Sequence, residues 1–217
     1  FISISSDDPE LLKDVDPKKV AANNKSSSLA LKEWRKYTMN DINSWCVVSI
    51  PSEDWAKRVF PDLSEDAAVE KLWKAIFDAT RMNSEDPVTA WKDHMNTLEE
   101  KVNYLNEKNF KSLHYSSKNG TDLQVDLPLG HIWAGGGGKN SKGDYFVANM
   151  PTEEVFTMPH KTGVNGTVYS SKPLNYAGNL IDDFKLVFKD GKVVDYEAKV
   201  GQEVLKDLFD IDEGAKY

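Results

Sequence analysis

Two hydrophobic periods run along this chain, and one gives way to the other near residue 110. After Ser64, the residues Ala68, Leu72, Ile76 and Ala79 fall on one stripe with Val69, Trp73 and Phe77 beside it. That is the spacing of an amphipathic helix, with Ser64 as its cap. Asp86-Pro87 opens a second helix, an N-cap followed by proline at the first helical position, with Trp91, Met95, Leu98, Val102 and Leu105 at helical spacing. This Trp and Met stripe is core rather than a cofactor box, and His94, one position from it, is expected as a half-exposed structural residue. Nearer the N-terminus, Phe1-Ile2-Ser3-Ile4-Ser5 alternates like a strand. Ser6 or Asp7 ahead of Pro9-Glu10-Leu11-Leu12 reads as a helix start, and Asp16-Pro17 repeats the signal for a helix carrying Val20, Ala30, Leu31 and Trp34, weakened by Ser26-Ser27-Ser28. Residues 45–50 form a short apolar run that reads as a buried strand ended by Pro51.

From Phe110 the period becomes two. Leu113, Tyr115, Leu123 and Val125 flank Asn119-Gly120, a hairpin signal, and Asp190-Gly191 is a second one. Further strands are expected near residues 145–148, 155–157, 168–170, 184–188 and 193–197, with a final helix over residues 202–209. The chain therefore reads as α/β: a helical α/β part over residues 1–108, then a β-rich α+β part over residues 109–217. There is no internal repeat.

Composition narrows the function. The 217 residues are 40% hydrophobic and 29% charged, with a net charge of −8, a pI near 5.1 and a mean hydropathy of −0.55. Such an acidic balance argues against nucleic acid or an anionic membrane as the main partner. The sequence has no apolar run of membrane-spanning length and no leader peptide pattern. A single cysteine, Cys46, excludes an internal disulfide framework and fits a reducing compartment; its neighbours Trp45, Val47 and Val48 make it a structural thiol. Asn119-Gly-Thr and Asn165-Gly-Thr match the glycosylation pattern but read better as turns.

Candidate chemistry is sparse. Gly135-Gly136-Gly137-Gly138-Lys139 fails as a phosphate loop, because Trp133 stands where its first glycine belongs and Asn140 where a Ser or Thr would bind magnesium. A mobile surface loop is expected there, with a lid as the lesser alternative. No HExxH, paired CxxC or helical His–carboxylate spacing is present. What stands out is Asn149-Met150-Pro151-Thr152-Glu153-Glu154-Val155-Phe156-Thr157, with adjacent carboxylates ahead of a β-favouring run. Successive strand side chains point to opposite faces, so Glu153 would sit with Val155 and Thr157, and Glu154 with Phe156. An acid beside a large aromatic lies at a sheet edge or is held by a partner, of which a metal ion is the commonest; a solvated loop end is the plainer alternative.

The run NMPTEEVFTMPH resembles the signature of the thermophilic-type metallo-aminopeptidases, the aminopeptidase T, AmpS and PepS group. The likeness continues in the same order through Gly163-Val164-Asn165-Gly166, Ile181-Asp182-Asp183-Phe184, Phe188-Lys189-Asp190-Gly191-Lys192-Val193 and Asp212-Glu213-Gly214-Ala215, and upstream through Ser49-Ile50-Pro51. It implies metal-dependent removal of N-terminal residues from peptides, in the cytoplasm, by a homodimer. Two divalent ions (zinc, cobalt or magnesium) would bind the peptide's amino end and carbonyl and supply hydroxide. It also implies one metal-binding glutamate in this motif, carried to Glu154, with Glu153 as the alternative ligand or a supporting residue. Independently of the resemblance, His160, a loop histidine after Met158-Pro159, is a candidate to contact substrate or support the site, with backbone hydrogen bonding as its plainer role. A second glutamate follows the DEGA segment in the family, but Lys216 and Tyr217 fill the next two places here, and the chain reads as an interior fragment, incomplete as a catalyst. The rival reading is a non-enzymatic α/β binding or interaction domain in which Glu153 and Glu154 are merely exposed.

Overall fold

The structure is a computed structural model that describes residues 1–6, 8, 11, 12, 14–176 and 179–217. The helix start expected at Pro9 falls largely outside the described residues. The chain divides into two compact units, each drawn from two stretches: Phe1–Asn103 with Ala134–Val155, and Tyr104–Trp133 with Phe156–Tyr217. The helical α/β and then β-rich α+β order expected from the two periods is the order observed.

In the first unit, Ile2–Ser5 pairs in parallel with Cys46–Ser49, and the helices Pro17–Ala30 and Lys32–Met39 connect them. A parallel pair needs such a long crossover, since a tight turn would make the strands antiparallel. Helices Glu53–Val59 and Glu65–Ala79 meet over Ala56, Ala68 and Leu72, with Trp55, Phe60, Val69 and Ile76 around them. Ser52 caps the first of these by accepting from the Trp55 N–H at 3.1 Å. Asp86 does the same for Pro87–Lys108, accepting from Val88 N and Thr89 N, both at 3.1 Å. The stripe of that helix is buried as its spacing requires: Trp91, Met95 and Leu98 form a core with Val147, Met150 and Val155.

The glycine run is not a free loop. Ala134–Gly135 pairs with Val155–Phe156, and Gly138–Lys139 pairs with Tyr145–Phe146. Asn140 closes the second pair: its Oδ1 accepts from Lys142 N and Asp144 N, and its Nδ2 donates to Ser44 Oγ at 2.9 Å. The surface-loop expectation is therefore corrected. The missing side chain at Gly135 serves close approach, because a Cβ there would lie 2.6 Å from Glu154 O and 2.9 Å from Val155 Cα.

The second unit is built on a six-stranded antiparallel sheet. Its order is Leu174–Tyr176, Asn179–Lys189, Val164–Tyr169, Asp122–Asp126, Ser112–Ser116, with Lys192–Val200 also paired to Asn179–Lys189. Both expected hairpins are present; Asp190 and Gly191 have φ of 51° and 78°, the left-handed pair a two-residue turn requires. Helix Gln202–Phe209 buries Leu205 and Phe209 against Ile181, Val193 and Ala198.

Candidate functional site

The strand containing the acidic pair is shorter than the alternation suggested. Pairing begins at Val155, so Glu153 and Glu154 lie just ahead of the strand and outside any regular element. The segment is held from behind, with Val47 N donating to Ala148 O at 2.8 Å and Met150 N to Val47 O at 2.9 Å. The parallel strand of residues 46–49 thus fixes where the motif enters the unit.

The two glutamates meet different surroundings. Glu153 is gripped by Arg81, whose Nη1 donates to Oε1 at 2.8 Å and Nη2 to Oε2 at 3.2 Å. Such two-pronged pairing matches the planar guanidinium to the planar carboxylate. His94 approaches the same Oε2 through Nε2 at 3.4 Å. That nitrogen also lies 2.7 Å from the Thr152 carbonyl, while Arg81 Nη2 is 3.1 Å from His94 Nδ1. A guanidinium only donates and a carbonyl only accepts, so Nδ1 accepts a hydrogen bond from Arg81 and Nε2–H donates one to the Thr152 carbonyl. The Arg81 hydrogen bonds hold the Glu153 carboxyl below the ordinary glutamate range, against a smaller opposing effect of partial burial. Glu154 is exposed, and among the described residues its carboxylate has no ion pair or side-chain hydrogen bond.

Arg81 is the residue that sequence reasoning missed. It follows the end of Glu65–Ala79, where Arg81 N donates to Asp78 O at 3.2 Å and Met82 N to Phe77 O at 2.8 Å. This is a Schellman closure, and Arg81 takes the left-handed position, φ 60°, where glycine is usual. Its guanidinium also lies over the Trp91 ring, 5.5 Å from the centroid, while Trp91 Nε1 donates to Thr80 O at 2.7 Å. His94 is more involved than the half-exposed structural role expected of it, being largely buried between Arg81 and Thr152.

The other histidines belong to the second unit. His160 is exposed on a turn, its N–H donating to Asp126 O at 2.8 Å and its Nδ1 lying 3.3 Å from Thr162 Oγ1. His131 Nδ1 donates to Pro128 O at 3.1 Å. His114 Nε2 is 2.7 Å from Asp122. Among the described residues, no three His, Cys, Asp or Glu side chains come together in a way that could hold a metal ion.

The whole of residues 1–217 matches the model of a family described as thermophilic metalloprotease (M29). The chain belongs to that family. Among its M29 relatives, aminopeptidase AmpS of Bacillus subtilis is 49% identical over 217 residues, which are 100% of this chain and 53% of AmpS. Aminopeptidase T of Thermus aquaticus is 42% identical over 215 residues, 99% of this chain and 52% of the relative. The solved structure of wild-type AmpT from Thermus thermophilus superposes with a TM-score of 0.92 at 40% identity, covering 99% of this chain and 52% of AmpT. The chain thus spans about half the length of the curated relatives it matches.

Two divalent ions about 3.5–4 Å apart need several carboxylate and imidazole donors. The donors described here do not fit a pair of ions. Among the described residues, the carboxylate of Glu154 has no side-chain partner, unlike that of Glu153.

Proposed function

We propose that this chain is part of a metal-dependent aminopeptidase that removes N-terminal residues from peptides, and that Glu154 supplies one of the carboxylates for its divalent ions. The observation that carries the reading is the division of labour between neighbouring glutamates. In a segment that resembles the family's signature, Glu153 is paired with Arg81 while Glu154 has no side-chain partner among the described residues. A merely solvated acidic pair gives no reason for an arginine at a left-handed position to bind one carboxylate at both oxygens. The remaining donors for two ions must be additional to those described here. The relatives AmpS and aminopeptidase T are aminopeptidases, which supports the same activity here and hence a peptide substrate. His160, presented on an anchored turn, is proposed as a substrate contact; a homodimer and a cytoplasmic site complete the reading.

The test is a pair of isosteric changes in protein expressed from the whole reading frame. Glu154→Gln keeps shape and removes charge, so bound divalent metal and turnover of an aminoacyl chromogenic substrate should fall together by a large factor while the fold persists. Glu153→Gln should keep more of the metal. If Glu153→Gln strips the metal and Glu154→Gln does not, the ligand is Glu153. If neither does, this reading of the site is wrong.

A further inference from the structure

We propose that the cleft between the helix Pro87–Lys108 and the segment of residues 145–150 is a binding site for a short apolar peptide with free amino and carboxyl ends; the inference stands apart from the reading of Glu154. The cleft lies wholly within the first unit and has a volume of about 600 Å³, in the range of sites for small molecules. Its floor is apolar: Trp91 and Met95, from the buried stripe of the helix, pack with Val147 and Met150. Met82 also lines it, so three of the chain's five methionines meet there. Methionine is unbranched and polarisable, which lets such a floor adapt to differing aliphatic side chains.

The rim carries the groups that select the ligand. Lys92, Asn96 and Glu99 line the cleft from exposed positions on the helix, and among the described residues none of these side chains has an ion pair or hydrogen bond. Lys92 and Glu99 are two turns apart, about 10.5 Å along the helix axis. An extended peptide of three residues spans about 10–11 Å, so its carboxylate reaches Lys92 while its amino end reaches Glu99. Between them, the Asn96 amide can both donate to and accept from a peptide group. The segment of residues 145–150 contributes Tyr145, whose phenol is admitted by the glycine run: a side chain at Gly137 would collide with the ring and its hydroxyl. Partial burial, and then the charge of Glu99, push the Tyr145 pKa up, so the phenol stays a hydrogen-bond donor through neutral pH. Opposite charges at that separation, an amide between them and an apolar floor match a peptide's own order of groups. A plain hydrocarbon would leave the charges unused, and an inorganic ion would leave the floor unused.

The experiment titrates trileucine into protein expressed from the whole reading frame and labelled with carbon-13 at the methionine methyls. EDTA is present throughout, so that no metal-dependent turnover consumes the probe. The Met82, Met95 and Met150 signals, identified by Met82→Leu, Met95→Leu and Met150→Leu, should shift along one saturation curve. Met39 and Met158, which are 79% and 75% exposed and would respond first to non-specific apolar binding, should stay still. Triglycine, with the same ends and no side chains, should bind at least about tenfold more weakly. N-acetylation of trileucine should weaken binding about threefold, the size of one exposed ion pair, and C-terminal amidation should do the same. The acetylation effect should vanish in Glu99→Gln and the amidation effect in Lys92→Met, both changes at exposed positions that leave the core intact. Silent Met82, Met95 and Met150 methyls, equal shifts at Met39 and Met158, or end-blocking penalties that persist in the two variants overturn the proposal. So do shifts of the cleft methyls on dilution of the protein without peptide, which give the cleft to a second copy of the chain.

Discussion

Replacing Gly135 by alanine tests whether the glycine run is shaped by the acidic segment beside it. A Cβ at residue 135 would lie 2.6 Å from Glu154 O, 2.9 Å from Val155 Cα and 3.0 Å from Val155 Cγ1, where ordinary contact begins at 3.4 Å. The first two atoms are backbone and cannot rotate away, so the pairing of Ala134–Gly135 with Val155–Phe156 must open to relieve the overlap. Overpacking of this kind costs about 1–3 kcal/mol. A ladder hydrogen bond lost with it adds about 1 kcal/mol. Alanine returns roughly 0.4–1 kcal/mol by restricting the unfolded chain. The net expectation is a loss of about 1–3 kcal/mol, a large share of a typical domain's stability. Gly138 is the internal control, since nothing lies within 4 Å of a Cβ there and its φ is outside the left-handed region. Gly138→Ala should be neutral or stabilising by up to about 0.5 kcal/mol. Urea denaturation followed by circular dichroism reads both variants, with amide exchange at Val155 and Phe156 locating the effect. A Gly135→Ala protein as stable as the parent, or a Gly138→Ala protein equally damaged, would falsify the close-approach argument.

Three further outcomes follow from other contacts. The Glu153 carboxyl is held low by Arg81, so its folded pKa lies below its unfolded value near 4.3. The stability it contributes is then present above about pH 4.3 and lost as pH falls through the lower folded value. Because Glu153 is more than half exposed, this contribution is at most about 1 kcal/mol. Urea midpoints of parent and Glu153→Gln should converge in that acid range, and curves that stay parallel through it contradict the pairing. High salt should weaken the Arg81–Glu153 coupling in a double-mutant cycle, since exposed pairs are screened; coupling that is unmoved by salt rules out an ionic origin. Gly191→Ala should cost about 3 kcal/mol or more, from a left-handed turn position and a collision with the Lys161 carbonyl. Amide exchange should accelerate first in Val164–Tyr169 and Asn179–Lys189, and unchanged protection there refutes it.

Much of the secondary structure was legible because its causes are local. The helix Gln202–Phe209, the helix opened by Asp86-Pro87 and the Asp190-Gly191 turn follow from spacing, caps and left-handed preference, each set by a few neighbouring residues. The strands were less well bounded: Asn179–Lys189 extends beyond the expected 184–188, and the pairing at Val155 is briefer than expected. Strand length is set by the partner's reach, which no local pattern records.

The sequence by itself determined the succession of element types, the acidic motif and the family that motif resembles. It left the two glutamates indistinguishable, since one charge beside another carries no information about what lies across from it. Only the tertiary structure decided that asymmetry. Arg81 stands 72 residues from Glu153 in sequence and has no signal of its own; the end of one helix and the side of the next bring its guanidinium and His94 to a single carboxylate. The glycine run was misread for the same reason. The missing side chain at Gly135 answers to the backbone of Glu154 and Val155, and that at Gly137 to the Tyr145 ring, atoms that become neighbours only when the chain folds. Local preference fixes which elements form, whereas charge pairing and close approach are contacts between segments distant in sequence, and folding alone brings those segments together.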